Sequence, residues 1–357
     1  MYNKFDFFIT GKIGMEAFRR DGQYLNGIFQ DDSYGKSDMQ QFLTYSGKAG
    51  LTYKINGRNY LYLNGAYIAN APSFDNTFIS PRVRNLTVTD PATVKSMTWE
   101  VGYLLHTPYW NGRISAFTTQ YDDMSHILRF YHEDYRTFVN YAMTGISIRN
   151  LGAEVALQAK LSPSLSATAI AAWTQVFYTN RPTVSIFRDN DTIATPSSSI
   201  VYLENYYAVS GPQSAYTIGL NYRSPRYWWL NVNFSYFDRN YLQVNPTRLT
   251  GDAVDLMDRT SAAYQMIVNQ ERLPSFYTID IFTGKSIMIN DLFRKVPRSH
   301  MLYINAGINN ITNNKDIITG GFNQLRFDMA TRNPDRFPPK YFYGLGINYF
   351  VNISYKF

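Results

Sequence analysis

Residues 341–357, YFYGLGINYFVNISYKF, decide how this chain is read, because Tyr341, Tyr343, Leu345, Ile347, Tyr349, Val351, Ile353, Tyr355 and Phe357 fill every second position. A period of two sustained over that length marks a β-strand whose two faces meet different surroundings. The residues between them, Phe342, Gly344, Gly346, Asn348, Phe350, Asn352, Ser354 and Lys356, suit a wetter face. One face is greasy and the other mixed.

Moving outward with the same template yields twelve predicted strands, at 4–18, 42–55, 59–69, 96–105, 113–121, 146–161, 165–178, 214–223, 227–237, 276–289, 301–311 and 341–357. One phase reads Phe5/Phe7/Ile9/Ile13/Met15, Leu43/Tyr45/Ala49/Leu51/Tyr53, Met97/Trp99/Val101/Tyr103/Leu105 and Leu151/Ala153/Val155/Leu157/Leu161, with no charge. The other phase carries Lys4, Asp6, Lys12, Glu16, Lys48, Glu100, Glu154, Lys160 and Asp280. A Lys or Arg on a lipid-facing wall costs about 2 to 4 kcal/mol at the bilayer midplane, enough to keep charge off one phase. The strands at 113–121 and 165–178 discriminate poorly. Tyr216/Ile218/Leu220/Tyr222 and Trp228/Leu230/Val232/Phe234/Tyr236 keep aliphatics central and rings at the ends, where headgroups would sit.

The connections alternate strictly. Asn56-Gly57-Arg58, Ser162-Pro163-Ser164 and Ser224-Pro225-Arg226 are tight turns, with compact links at 106–112 and 290–300. Between them lie long polar stretches at 19–41, 70–95, 122–145, 179–213, 238–275 and 312–340. One rim of turns and one rim of loops is the asymmetry of an outer-membrane barrel. A soluble sandwich would mix loop lengths at both ends and use strands of about 5 or 6 residues.

Composition agrees. Of 357 residues 30 are Tyr and 24 Phe, types that favour strands. No stretch approaches the roughly 20 apolar residues of a helical span. With no Cys there is no disulfide framework or thiol nucleophile. The formal charge of +7 is scattered, without a basic run or recognition helix, so nucleic acid is not an expected partner. The first residues, MYNKFDFFITGKIGMEAF, alternate instead of forming a secretory signal. The expectation is a chain entering within a strand of a longer protein.

Several stretches, ANAPSFDNTFISPRVRN at 69–85, WEVGY at 99–103, NLGAEVALQAKL at 150–161, NAGINNITNN at 305–314 and the terminal NYFVNISYKF, resemble the distal half of the barrel in TonB-dependent receptors of the Bacteroidetes type. The order and spacing of the set carry the resemblance. It implies an all-β transmembrane antiparallel barrel segment in the outer membrane, about 12 of the family's 22 strands, with plug and signal peptide absent from residues 1–357. It further implies import of a nutrient such as a glycan or siderophore. The implied partners are membrane lipid, the TonB complex acting through the missing N-terminal part, and a surface lipoprotein. A self-contained twelve-strand pore and a barrel hydrolase are the alternatives.

No catalytic, cofactor or metal site is expected. His106, His126, His132 and His300 sit in no recognisable motif, and His126 and His132 share a loop with Asp122, Asp123, Glu133 and Asp134, residues that solvated loops collect without catalytic roles. Asp122 and Asp123 read as the point where a strand leaves the membrane. Gly320-Gly321 reads as a bend, and GxSxG, Walker and HExxH patterns are missing. Lumen-facing candidates are Glu100, Glu154, Gln158, Asn221, Asn231, Asn233, Asp280 and Asn305. Tyr355 and Phe357 are candidates for a C-terminal insertion signal, by the resemblance of outer-membrane barrels to one another in ending on an aromatic. Loop aromatics Phe74, Phe78, Tyr131, Tyr135, Tyr206 and Tyr207 are suited either to stack on a ligand or to pack the loops.

Overall fold

The computed structural model describes residues 4–189, 191, 197–208, 211–295 and 297–357. Twelve long strands run up and down as an antiparallel meander in chain order: β1 Phe5–Phe18, β2 Gln40–Lys54, β3 Asn59–Asn70, β4 Val94–His106, β5 Trp110–His132, β6 Thr137–Lys160, β7 Leu165–Tyr178, β8 Ser214–Arg223, β9 Trp228–Asp238, β10 Phe276–Met288, β11 Met301–Asn309 and β12 Asn348–Lys356. Two short strands, Thr183–Arg188 and Ser197–Ile200, extend the sheet beside the far end of β6. No helix among the described residues is long and apolar enough to cross a membrane.

The register carries one face unbroken across the sheet, because paired residues project to the same side. Phe7 lies opposite Leu51, Leu51 opposite Leu63, and Leu63 opposite Val101. At the other end Leu220, Val232, Ile281, Ile308 and Tyr349 form a continuous row. This apolar face is the exposed one: Phe7 keeps 77% of its surface and Ile9 80%. Burying one such side chain is worth about 1.5–3 kcal/mol, so a face of this kind in water would be strongly unfavourable.

At the short-turn rim the chain caps its own backbone. Asn56 Oδ1 accepts from the amides of Arg58 and Asn59 at 2.9 and 3.0 Å, Thr107 Oγ1 from Trp110 N at 2.8 Å, Ser162 Oγ from Leu165 N at 3.0 Å, and Ser224 Oγ from Arg226 N at 3.1 Å. A short polar side chain at the first turn position thus replaces the missing ladder bonds.

Two sequence expectations are corrected at the other rim. The stretch 122–145 is not a loop: β5 and β6 run for 23 and 24 residues and continue as a hairpin beyond the other strands, turning only at 133–136. Asp122 and Asp123 mark a bulge, where the register shifts between Tyr121 and Met124 and Asp123 takes φ 60°. A bulge moves the period-two phase by one residue, and the alternation template fails there for that reason.

The terminal alternation is likewise continuous in sequence but not in the wall. β12 occupies only Asn348–Lys356, while Lys340–Tyr343 pairs with Ile318–Phe322 outside the main sheet. The asparagines of NAGINNITNN explain the break. Asn310 Nδ2 donates to Leu345 O at 3.1 Å and Asn313 Oδ1 accepts from Ile347 N at 3.0 Å, so side chains take backbone groups that a longer ladder would have used. Asn310 and Asn313 themselves adopt positive φ, 49° and 51°, which Asn tolerates better than most residues.

The buried core lies in the loops. The largest fully buried side chains include Tyr141, Phe78, Ile79, Leu203, Leu242 and Leu273, all outside the paired wall below the bulge. The long connections contain short helical turns at Pro246–Leu249, Gly251–Val254 and Ala262–Val268 and fold together with the β5–β6 hairpin into a cap around Val139, Tyr141, Met143, Val184, Val201, Leu203 and Leu249.

Candidate functional site

The register places Glu100, Glu154, Gln158, Asn221, Asn231, Asn233, Asp280 and Asn305 all on the face opposite the exposed apolar one: Asn221 lies opposite Asn231, Asn233 opposite Asp280, and Glu154 opposite Ser115. They form small groups strung along the face. Glu100 joins Tyr62, whose hydroxyl donates to it at 2.7 Å, and Arg113, whose guanidinium donates to the carboxylate at 2.5 Å and to the Tyr62 hydroxyl at 3.1 Å. Gly102 makes room for this cluster, since a Cβ there would lie 2.3 Å from Tyr62 Cζ. Asp280 accepts from Asn310 N at 2.8 Å, anchoring the NITNN turn to the sheet.

Tyr62 and Arg113 were not singled out from sequence. Their signal is positional: each follows a tight turn by a few residues on the mixed phase, and only the register shows that they meet Glu100.

Tyr355 lies on the apolar face opposite Leu302, with its hydroxyl against His300 Nδ1, and Phe357 follows it with its ring 6.0 Å away. Of the other histidines, His106 rests against Tyr60 near a short turn, whereas His126 and His132 sit in the hairpin beyond the bulge. Burial pushes His132 below the usual histidine range, which the nearby Asp134 and Glu133 only partly oppose, whereas the His126 side chain is exposed. Among the described residues no group of three or more His, Asp and Glu is placed to hold a metal ion.

The loop aromatics are engaged by the cap. Phe74 and Phe78 pack together at 4.8 Å and against Phe18. Tyr131 meets Phe138 edge-on, Tyr207 stacks on Tyr241 at 4.0 Å, and Tyr206, its hydroxyl pushed up to about 12 by burial, donates to Val268 O at 2.5 Å. Tyr135 lies between partners, with the His132 ring at 4.5 Å and the Arg188 guanidinium at 4.1 Å.

Where the hairpin meets the loops, His132, Asp134, Tyr135, Tyr141, Ile186, Ser199, Thr247, Thr250, Asp252 and Met329 enclose a cavity of about 190 Å³. The surrounding joints are specific: Asn245 Nδ2 donates to Gln324 O at 2.7 Å, and Arg248 Nη2 to Pro334 O at 3.1 Å.

No protein-family model matches this sequence, and no curated protein matches it. Solved structures do match in fold. The chain is similar to the copper transporter OprC, with a TM-score of 0.63 and 12% identity over 100% of this chain and 46% of that one. It is similar to the FrpB iron transporter from Neisseria meningitidis, at 0.57 and 13% over 98% and 43%. The siderophore receptor PiuA from Acinetobacter baumannii gives 0.55 and 13% over 99% and 40%. At such identity the likeness is one of fold, and the chain spans under half the length of each. The fold is that of an outer-membrane β-barrel wall, with one exposed apolar face, one rim of turns and one of long loops.

Proposed function

We propose that this chain forms the distal wall and surface loops of a TonB-dependent outer-membrane receptor that imports a nutrient. The observation that carries the reading is the pair of edges. Among the described residues β1 pairs only with β2 and β12 only with β11. In hydrocarbon each unpaired backbone group costs several kcal/mol, so both edges call for further strands. This favours the larger barrel over a closed twelve-strand pore. In a larger barrel the Glu100, Glu154 and Asp280 face lines the lumen, opposite the plug that the family uses, and the short-turn rim faces the periplasm. The neighbours are a copper transporter, an iron transporter and a siderophore receptor, and the nutrient in this reading is a siderophore, a glycan or a similar solute, with a surface lipoprotein as a further partner. Tyr355 and Phe357 serve the insertion machinery as well as the lipid face.

The test is uptake by cells carrying the full protein, fed labelled ferric siderophores, copper or oligosaccharides, with the TonB complex intact or deleted. Import that falls to background without TonB supports the reading. Import indifferent to TonB overturns it in favour of a passive pore.

A further inference from the structure

We propose that the cavity between the β5–β6 hairpin and the long loops binds a small ligand rich in hydrogen-bond donors and free of negative charge, about the size of one sugar ring. The proposal deepens the import reading, since it takes the loop rim as the side that meets the outside.

Two buried polar atoms point to a guest. Tyr141 keeps 1% of its surface and His132 8%, both line the cavity, and among the described residues neither Tyr141 Oη nor His132 Nδ1 has a hydrogen-bond partner. Leaving such a group unsatisfied costs about 1–3 kcal/mol, and two around one void are explained by something that enters it. The volume of about 190 Å³ equals that of about six liquid waters at ~30 Å³ each. A single ring bearing hydroxyl or amino groups matches that space.

The remaining capacity of the walls sets the polarity. Asp134 and Asp252 bring carboxylates, which only accept. The Thr247 hydroxyl donates to Asn245 Oδ1 at 2.7 Å and the Thr250 hydroxyl to Thr247 O at 3.1 Å, so both present lone pairs to the cavity. Arg332 reaches the Asp252 carbonyl, at 3.3 Å, and Arg188 covers the Tyr135 ring. A guest must therefore donate to most of what it meets, and an anion would face two carboxylates. Ile186 and Met329 supply the apolar contact that a ring's C–H groups need.

The test uses the full protein, barrel closed by its remaining strands, in detergent micelles and saturation-transfer NMR with three probes: methyl glucoside, glucosamine and glucuronate. Both methyl glucoside and glucosamine are expected to bind, with glucuronate weaker by about tenfold, the loss of roughly one charge-compatible hydrogen bond. Tyr141→Phe removes only an unpartnered hydroxyl, so its thermal midpoint should hold or rise while binding drops. Asp252→Asn, at the exposed mouth, should narrow the gap between glucosamine and glucuronate. The proposal is overturned if glucuronate binds as well as the others, if no probe binds, or if Tyr141→Phe binds like the parent. Binding in micelles needs no TonB, so failure here leaves the import reading standing, and TonB-independent uptake would remove that reading without touching the cavity.

Discussion

Arg326 of the last long loop is ion-paired with Glu133 at the tip of the β5–β6 hairpin, its Nε donating at 2.6 Å across 193 residues of sequence. The same guanidinium lies 4.4 Å above the Phe337 ring and 5.5 Å from that of Tyr131. It clasps a loop onto the hairpin and so closes the cap over the cavity.

Cutting the clasp should loosen the cap and leave the wall intact. Arg326→Ala is expected to cost the cap about 1 kcal/mol, the sum of a partly exposed ion pair and a cation–π contact. Limited proteolysis should then cleave within 312–340 about fivefold faster. Unchanged cleavage would show that the clasp holds nothing.

The cap should also weaken in mild acid. Burial depresses the folded-state pKa of His132, while an unfolded His takes up a proton near 6.5. Below that value the unfolded state binds more protons, so the contribution of His132 is fully present above pH ~6.5 and is lost progressively as pH falls. Asp328, held down to about 2 by the Thr331 hydroxyl and Arg336, stays ionised throughout this window. Cap proteolysis should rise from pH 7.5 to 5.5, and His132→Gln should flatten the slope. An equal slope in the variant would remove His132 from the account.

Gly102→Ala tests the Glu100 cluster. Its Cβ would meet Tyr62 at 2.3 Å, forcing the ring away from Glu100 and Arg113. Overpacking of this kind costs about 1–3 kcal/mol. Gly112→Ala is the control, because its nearest neighbour would be Leu157 Cδ1 at an ordinary 3.4 Å. Unfolding midpoints in detergent should fall for the first and hold for the second. A matching drop in both would argue against a cluster effect.

Twelve strands, and the apolar phase of most of them, were legible because a face that is apolar throughout forces a period of two at positions such as Phe7, Val101 and Ile218, while 113–121 and 165–178 carry too little contrast between their faces. The hairpin beyond Tyr121 was not, because a bulge shifts the phase there and because its partners, Leu203 and Leu249, come from distant loops. The false continuity of 341–357 arose from Leu345 and Ile347, which alternate correctly while Asn310 and Asn313 hold their backbone. Of the site, Glu100 and Asp280 were visible as charges on the mixed phase. The cavity was not, since His132, Thr247 and Met329 meet only through tertiary packing.

The most direct test of the central claim, that one face of this sheet meets lipid, is the yield of heat-modifiable barrel in the outer membrane for two variants of adjacent residues. Val351 lies on the apolar face opposite Ala306, and Asn352 on the other face opposite Asn305. Val351→Arg should cost about 2 to 4 kcal/mol and reduce assembly sharply, while Asn352→Arg assembles near the parental level. Equal yields from the two variants would contradict the assignment of faces.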